Sequence, residues 1–169
     1  IINTARVEGL ANLRIYLADA NDVLEECFAP ESIDRLQLYF PDPWHKKKHN
    51  KRRIVQSSFL QQVREKLRPN GIIHMATDWQ PYAEQMLETL SEAEGFENCV
   101  GPGERSPRPA YRPLTKFERH ADLIFRKQTT FVHFHGRGQG RPHGDRVHTE
   151  VVTQIVGHDN GVHIVYPAV

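Results

Sequence analysis

Cysteine is scarce. Only Cys27 and Cys99 are present, far apart and in no ligand-like spacing. That argues against a disulfide framework and against a zinc ribbon. Long apolar runs are missing too, and none reaches the roughly 20 residues of a membrane-spanning helix. No basic-then-apolar leader opens the chain, so the sequence reads as that of a cytoplasmic protein without a membrane partner. It begins Ile1-Ile2-Asn3, without Met, and so reads as a fragment. Net charge is almost nil, with 22 Lys and Arg against 21 Asp and Glu. An apolar content of 38% in 169 residues is enough for one domain with a real core.

The charge balance conceals strong segregation. Six cations and no acid occupy residues 45–53, whereas Asp19, Asp22, Glu25, Glu26, Glu31 and Asp34 crowd the stretch upstream. Glu84, Glu88, Glu92, Glu94 and Glu97 form a second acidic stretch. Local opposition of this kind tells more about partners than the sum does.

Strand and helix patterns alternate along the first 127 residues. Residues 1–11 read as the end of a helix, closing near Gly9. Leu13 to Leu17 reads as a strand and residues 21–28 as a short helix. Ile33 to Phe40 is the next strand, ended by Pro41. Val55, Phe59, Leu60, Val63 and Leu67 carry helical spacing, and Arg68-Pro69-Asn70-Gly71 is a turn. Ile72 to Ala76 reads as a strand, Pro81 to about Glu94 as a helix and Phe96 to Val100 as a short strand. A Gly, Pro and Arg-rich loop over 101–113 precedes a last strand at Asp122 to Lys127. This is an α/β sheet with helices on its faces.

Asp19, Asp42 and Asp78 each follow a strand. Ligands of open α/β sheets bind beyond the carboxyl ends of the strands, so the three are expected neighbours. Each taken singly also suits a helix N-cap or a turn. Asp42 lies between two prolines in Phe40-Pro41-Asp42-Pro43-Trp44. A carboxylate held there can accept from N1–H and the N2 amino group of guanine together. The same spacing also suits a rigid strand exit with a surface Asp, and both readings stand. Trp44 either stacks on a purine or packs the loop. The basic run Lys46 to Arg53 suits phosphate neutralisation. Beside Pro-Asp-Pro-Trp, it reads as a nucleic-acid contact more readily than as a solvated loop.

These residues resemble the bacterial tRNA (guanine-N7-)-methyltransferases. Phe40-Pro41-Asp42-Pro43-Trp44 with its basic run carries the resemblance, as does His74-Met75-Ala76-Thr77-Asp78-Trp79-Gln80-Pro81-Tyr82-Ala83-Glu84. So do Arg108-Pro109 and Arg112-Pro113-Leu114-Thr115-Lys116-Phe117-Glu118. The resemblance covers about residues 1–127. It implies a class I, Rossmann-like sheet and methyl transfer from S-adenosylmethionine to N7 of guanine 46 in the tRNA variable loop. Asp19 matches the acid at the adenine end of the cofactor, and Asp42 the catalytic carboxylate near both cofactor and guanine. Lys46 and Asp78 match substrate-binding positions, and Thr115, Lys116, Phe117 and Glu118 match a substrate-side loop. Lys48, His49, Asn50, Lys51, Arg52 and Arg53 match an RNA-contacting segment. The implied partner is tRNA, with the protein a monomer or weak homo-oligomer. The alternative is a non-catalytic RNA-binding remnant.

The sequence departs from that pattern in three places. The family's glycine-rich first turn and second strand are missing. In its sheet order 3-2-1-4-5-7-6 those strands form the middle, so Leu13 to Leu17 is expected to lack a neighbour and the edge beside Ile33 to Phe40 to be open. Phe131 to His135 followed by Gly136-Arg137-Gly138-Gln139-Gly140 imitates a strand and glycine turn. Arg141-Pro142 is a poor helix start, however, so no cofactor turn is assigned there. Finally, only Arg119-His120-Ala121 separates Glu118 from Asp122, a shorter link than the family's.

Residues 128–169 read as an unrelated tail, holding six of ten histidines and six of eleven glycines. The histidines lack a tight ligand constellation, and no metal is expected. Val151 to Val156 and Val162 to Tyr166 read as a β-hairpin around His158-Asp159-Asn160-Gly161. One expectation is that this hairpin pairs with the open sheet edge, read out as mutual protection of the Val162 to Tyr166 and Leu36 to Phe40 amides.

Overall fold

The computed structural model describes residues 2–9, 13–110, 112, 114–115, 118–119, 130–136, 150–155 and 162–167. The expected strand at Asp122 to Lys127 lies outside them. Helices α1 (Ile2–Val7), α2 (Ala20–Cys27), α3 (Ser57–Lys66) and α4 (Gln80–Glu92) alternate with strands β1 (Leu13–Ala18), β2 (Ile33–Tyr39) and β3 (Leu67–Thr77). Strands β4 (Phe96–Asn98), β5 (Thr130–Gly136), β6 (Glu150–Ile155) and β7 (Val162–Pro167) follow. Among the described residues all seven strands form one sheet, in the order β1-β7-β6-β2-β3-β5-β4.

β6 and β7 therefore stand where the expected order places strands one and two. The gap is filled by the carboxyl-terminal hairpin, and the chain division at 127 is not a division of the sheet. The hairpin pairs with the open edge as expected, but through β6 and not through Val162 to Tyr166. β7 instead pairs with β1, from Leu13↔Pro167 to Ala18↔Val162. β6 lies against β2 in parallel, from Arg35↔Glu150 to Tyr39↔Gln154. One strand cannot bridge two separated edges, whereas a hairpin offers one strand to each. A short link returns its chain antiparallel, so β7 runs against both neighbours, while β6–β2 and β2–β3 are parallel and β5 is antiparallel to β3 and β4. In amide exchange, β2 and β6 should protect each other. Fast exchange of 150–155 with slow exchange of 33–39 would reject this pairing.

The Arg68 to Gly71 turn is present, but inside β3. Ile33 pairs with Leu67 and Arg35 with Ile72, so the turn is looped out as a bulge. Asn70 takes a left-handed φ of 64° there, which Asn tolerates better than most residues.

Period-two alternation separates the two faces of the sheet. Leu36, Leu38, Ile73, Met75, Val132 and Phe134 are buried in one core with Val23, Leu24, Phe59, Leu60, Val63, Tyr82, Met86 and Leu90 of the helices. The opposite face carries Arg35, Gln37, Tyr39, His74, His133 and His135. His74 is fully buried there, its ring 5.0 Å from that of His133 across the β3–β5 pair. Burial, helped by the neighbouring His133, Arg112 and Arg35, lowers its pKa to about 3. An unfolded chain then binds one more proton than the native one between about pH 3 and the ordinary value of 6.5. Stability should therefore fall as pH drops through that window. His74→Gln should flatten this part of a pH series of thermal midpoints, and an unchanged slope would refute the assignment.

Candidate active site

β1, β2 and β3 end at Ala18, Tyr39 and Thr77, and β6 ends at Ile155 beside them. Asp19, Asp42 and Asp78 thus leave one end of the sheet. The structure brings the first two together. Asp19 and Asp42 line one cavity of ≈220 Å³ with Asn21, Trp44, Arg52 and Arg53. Asp78, half-buried after β3, is not among its lining residues.

Asp19 is the N-cap of α2, its Oδ1 accepting from the Asn21 backbone N–H (2.8 Å) and side-chain amide (2.9 Å). The cap and ligand readings thus fall on one residue. Asp42 differs: its Oδ2 is buried and, among the described residues, has no hydrogen-bond partner. A buried acceptor left unmatched costs about 1–3 kcal/mol, so it is kept where a donor arrives from outside.

The loop that holds Asp42 is bent sharply at both ends. Phe40 and Trp44 take left-handed φ values of 50° and 41°, each a cost of about 1–3 kcal/mol for a residue with a side chain. Several contacts hold the bend. The Phe40 N–H donates to the Ala76 carbonyl at 2.7 Å. The Trp44 ring meets the Arg52 guanidinium at 5.0 Å and the His49 ring edge-on at 6.0 Å. The Asn50 amide, with its nitrogen turned to the loop, donates to the carbonyls of Trp44 (3.1 Å) and Lys46 (3.3 Å).

The basic run divides into two kinds of residue. Lys46, Lys47, Lys48, Lys51 and Arg52 are exposed around a 3-10 turn at Lys47–Arg52. None of the ion pairs among the described residues involves them. Arg53 is 5% exposed and points inward. His49 and Asn50 are half-buried against the loop. The expected strip of contacts from Lys48 to Arg53 is thus an exposed set of cations on an inner clamp.

Thr115 and Glu118 have a structural explanation. Glu118 N–H donates to Thr115 Oγ1 (3.2 Å), while the Glu118 carboxylate accepts from the Thr115 N–H (3.0 Å) and hydroxyl (2.6 Å). This reciprocal pair is a capping box. The same carboxylate meets Arg112 at 3.2 Å, both side chains buried. Arg112 lies over the Tyr39 ring at 4.2 Å. Lys116 and Phe117 lie outside the described residues. Sequence reading missed Asn21, Gln56 and Ser58, which join the cavity wall, and Gln85, which grips Arg53. The common polar residues among them carry no motif and are placed only by the fold.

A cofactor of the S-adenosylmethionine type is a cationic nucleoside. Asp19 and Asp42 suit it in charge, whereas Lys51, Arg52 and Arg53 of the same cavity oppose it. The cavity of ≈220 Å³ is smaller than the roughly 300–1,000 Å³ of pockets that enclose such ligands. The described residues around this cavity do not by themselves enclose such a ligand.

Comparison with known proteins agrees with the motifs. A family model described as "Putative methyltransferase" matches residues 1–131. A tRNA (guanine-N(7)-)-methyltransferase of Saccharophagus degradans is 59% identical over 124 residues, 73% of this chain and 54% of that protein. One of Pseudomonas putida is 57% identical, covering 73% and 52%. One of Alcanivorax borkumensis is 54% identical over 129 residues, covering 72% and 54%. The chain spans about half the length of the curated relatives it matches. Among solved structures, a putative DNA modification methylase from Thermus thermophilus gives a TM-score of 0.44 at 16% identity, over 77% of this chain and 56% of that one. With the family model matched over 1–131 of its 169 residues, this chain belongs to the putative methyltransferase family.

Proposed function

We propose that this chain carries the substrate side of a tRNA guanine-N7 methyltransferase. The observation that carries the reading is the buried, unmatched Asp42 Oδ2 in a cavity that Lys51 and Arg52 also line. The names of the relatives support the same chemistry.

Guanine N7 has a lone pair and no proton, so no general base is needed to expose it. Asp42 accepts from N1–H and the N2 amino group and turns the ring so that N7 faces the methyl donor. When bound, S-adenosylmethionine supplies the methyl group, its C–S bond breaking as the N7 lone pair forms the new C–N bond. Asp19 holds the nucleoside end. The purine becomes cationic, and the Asp42 carboxylate stabilises that charge as it develops. Lys46 and Asp78 lie outside the cavity lining and meet the tRNA beyond the base, and the exposed cations hold its phosphates. With tRNA as its partner the protein works in the cytoplasm, as a monomer or weak homo-oligomer.

The test is methyl transfer from labelled S-adenosylmethionine to an unmodified tRNA transcript, with guanine 46 replaced by adenine as control. Incorporation into the control equal to that into the parent would overturn the reading. Binding should also be salt-sensitive. If all five exposed cations meet phosphate, affinity should fall by roughly 10²–10³-fold between about 50 and 200 mM salt. A flat profile would remove the phosphate role. The small cavity favours a second reading, RNA binding without transfer. Saturable affinity for S-adenosylmethionine in a calorimetric titration separates the two, since only the enzyme requires it.

A further inference from the structure

We infer that Arg53 is a positioning residue for the Asp42 loop and not one of the RNA contacts. The inference rests on the reading of Asp42 as the carboxylate that meets the base. Arg53 closes the basic run, and its charge groups it with its neighbours in sequence. Its surroundings set it apart. It is 5% exposed, whereas Lys51 and Arg52 beside it are open to solvent.

Two donors of Arg53 have partners among the described residues and both point inward, while the residue also lines the cavity beside Asp42. Nε donates to the Pro43 carbonyl at 2.7 Å, and one terminal nitrogen donates to Gln85 Oε1 of α4. The guanidinium lies 4.8 Å from the centre of the Tyr82 ring, also on α4. Gln85 in turn donates to the Val55 carbonyl at 3.1 Å, and the Val55 N–H reaches the Tyr82 hydroxyl at 3.4 Å. The result is a closed set of contacts tying the Pro43 carbonyl to a helix of the core. Tyr82 is fully buried, so the anchor cannot drift.

Pro43 is the residue between Asp42 and the strained Trp44. Strain of that kind persists only where the surroundings enforce it. Arg53 supplies the enforcement on the carboxyl side, as the Phe40–Ala76 hydrogen bond does on the other. A planar guanidinium can serve a carbonyl, an amide and a ring face at once, and an ammonium cannot. A phosphate contact would require Arg53 to abandon a desolvated set of partners. The exposed cations beside it face no such cost.

The experiment compares Arg53→Met, Arg53→Lys and Gln85→Leu with Lys51→Ala in the full chain. Backbone order parameters at Asp42 and Trp44 provide a readout independent of activity. They should fall from the rigid range near about 0.85 toward about 0.6 in both Arg53 variants and in Gln85→Leu, and stay high in Lys51→Ala. For tRNA, Arg53→Met and Gln85→Leu should keep affinity within about twofold and leave the salt slope alone, while Lys51→Ala lowers that slope by about one. Turnover should drop at unchanged KM in the Arg53 variants, with Arg53→Lys recovering little. The inference is overturned if Arg53→Met flattens the salt slope as Lys51→Ala does while the loop keeps its order. Gln85→Leu decides between the two results should Arg53→Met fail to fold. If the parent chain neither binds tRNA nor transfers methyl groups, the proposed function fails by itself, and the order parameters still judge Arg53.

Discussion

Asp42→Asn should lower methyl transfer to tRNA by about 10²–10³-fold while leaving tRNA affinity within about twofold. The magnitude is that of removing one preorganised electrostatic group aimed at developing charge. The asymmetry follows from where binding energy resides. On the proposed function, tRNA affinity comes from phosphates meeting the exposed cations of residues 46–52, contacts separate from the carboxylate's own task even where Lys51 and Arg52 share its cavity. An amide keeps the size of Asp42 and one acceptor oxygen. It loses the charge, and it offers two donors where guanine presents donors of its own. The lost charge acts when the ring becomes cationic, so kcat falls; the mismatched donors act on bound guanine already, but phosphate contacts set most of the affinity, so KM moves little. Single-turnover transfer with saturating cofactor, beside anisotropy titrations of labelled tRNA, gives the two numbers. Equal losses in both would remove Asp42 from the chemical step.

Glu118→Gln should destabilise the protein by about 3–5 kcal/mol, the usual result of leaving one buried charge without its partner. Glu118 is 1% exposed and Arg112 8%. Removing the acid's charge strands a guanidinium between the rings of Tyr39 and Phe131. It also weakens the capping box with Thr115. With total stabilities of about 5–15 kcal/mol, such a loss threatens folding at physiological temperature. In a chain of this size it corresponds to a fall in thermal midpoint of roughly 6–20 °C. A substrate contact at Glu118 gives the opposite pattern, with weaker tRNA or guanosine binding and an unchanged midpoint. Thermal denaturation followed by circular dichroism separates the two. Arg112→Met combined with Glu118→Gln should restore part of the loss, because the stranded charge is then gone.

Local pattern accounts for much of the architecture. The alternation of Leu36 and Leu38, the helical spacing of Phe59, Leu60 and Val63, and the prolines that end β2 and open α4 are properties of neighbours in the chain. They placed three acids after three strands, and the sheet follows them. Motif resemblance singled out Asp42 for the same reason, since its two prolines and the indole are contiguous. Elements set by distant partners were harder to read. The helical spacing reads from Val55, but the helix begins two residues later, at Ser57. Val55 is instead drawn into the Gln85 and Tyr82 contacts. The hairpin was evident, but not which strand meets β2.

What the order of residues decided is the kind of protein this is: an α/β chain with a fixed Pro-Asp-Pro-Trp corner, a run of cations after it, and membership of a methyltransferase family. Those features depend on composition and spacing over a few residues, where steric and periodic rules act. Tertiary structure decided which members of a motif work together. It turned Arg53 inward while Lys51 and Arg52 stayed in solvent, and it paired Glu118 with a buried Arg112. It also set Asp19 and Asp42 on one cavity, with Asp78 outside its lining. Burial and partner choice depend on what folds over a residue from far along the chain. Two adjacent arginines of equal charge can therefore meet opposite environments.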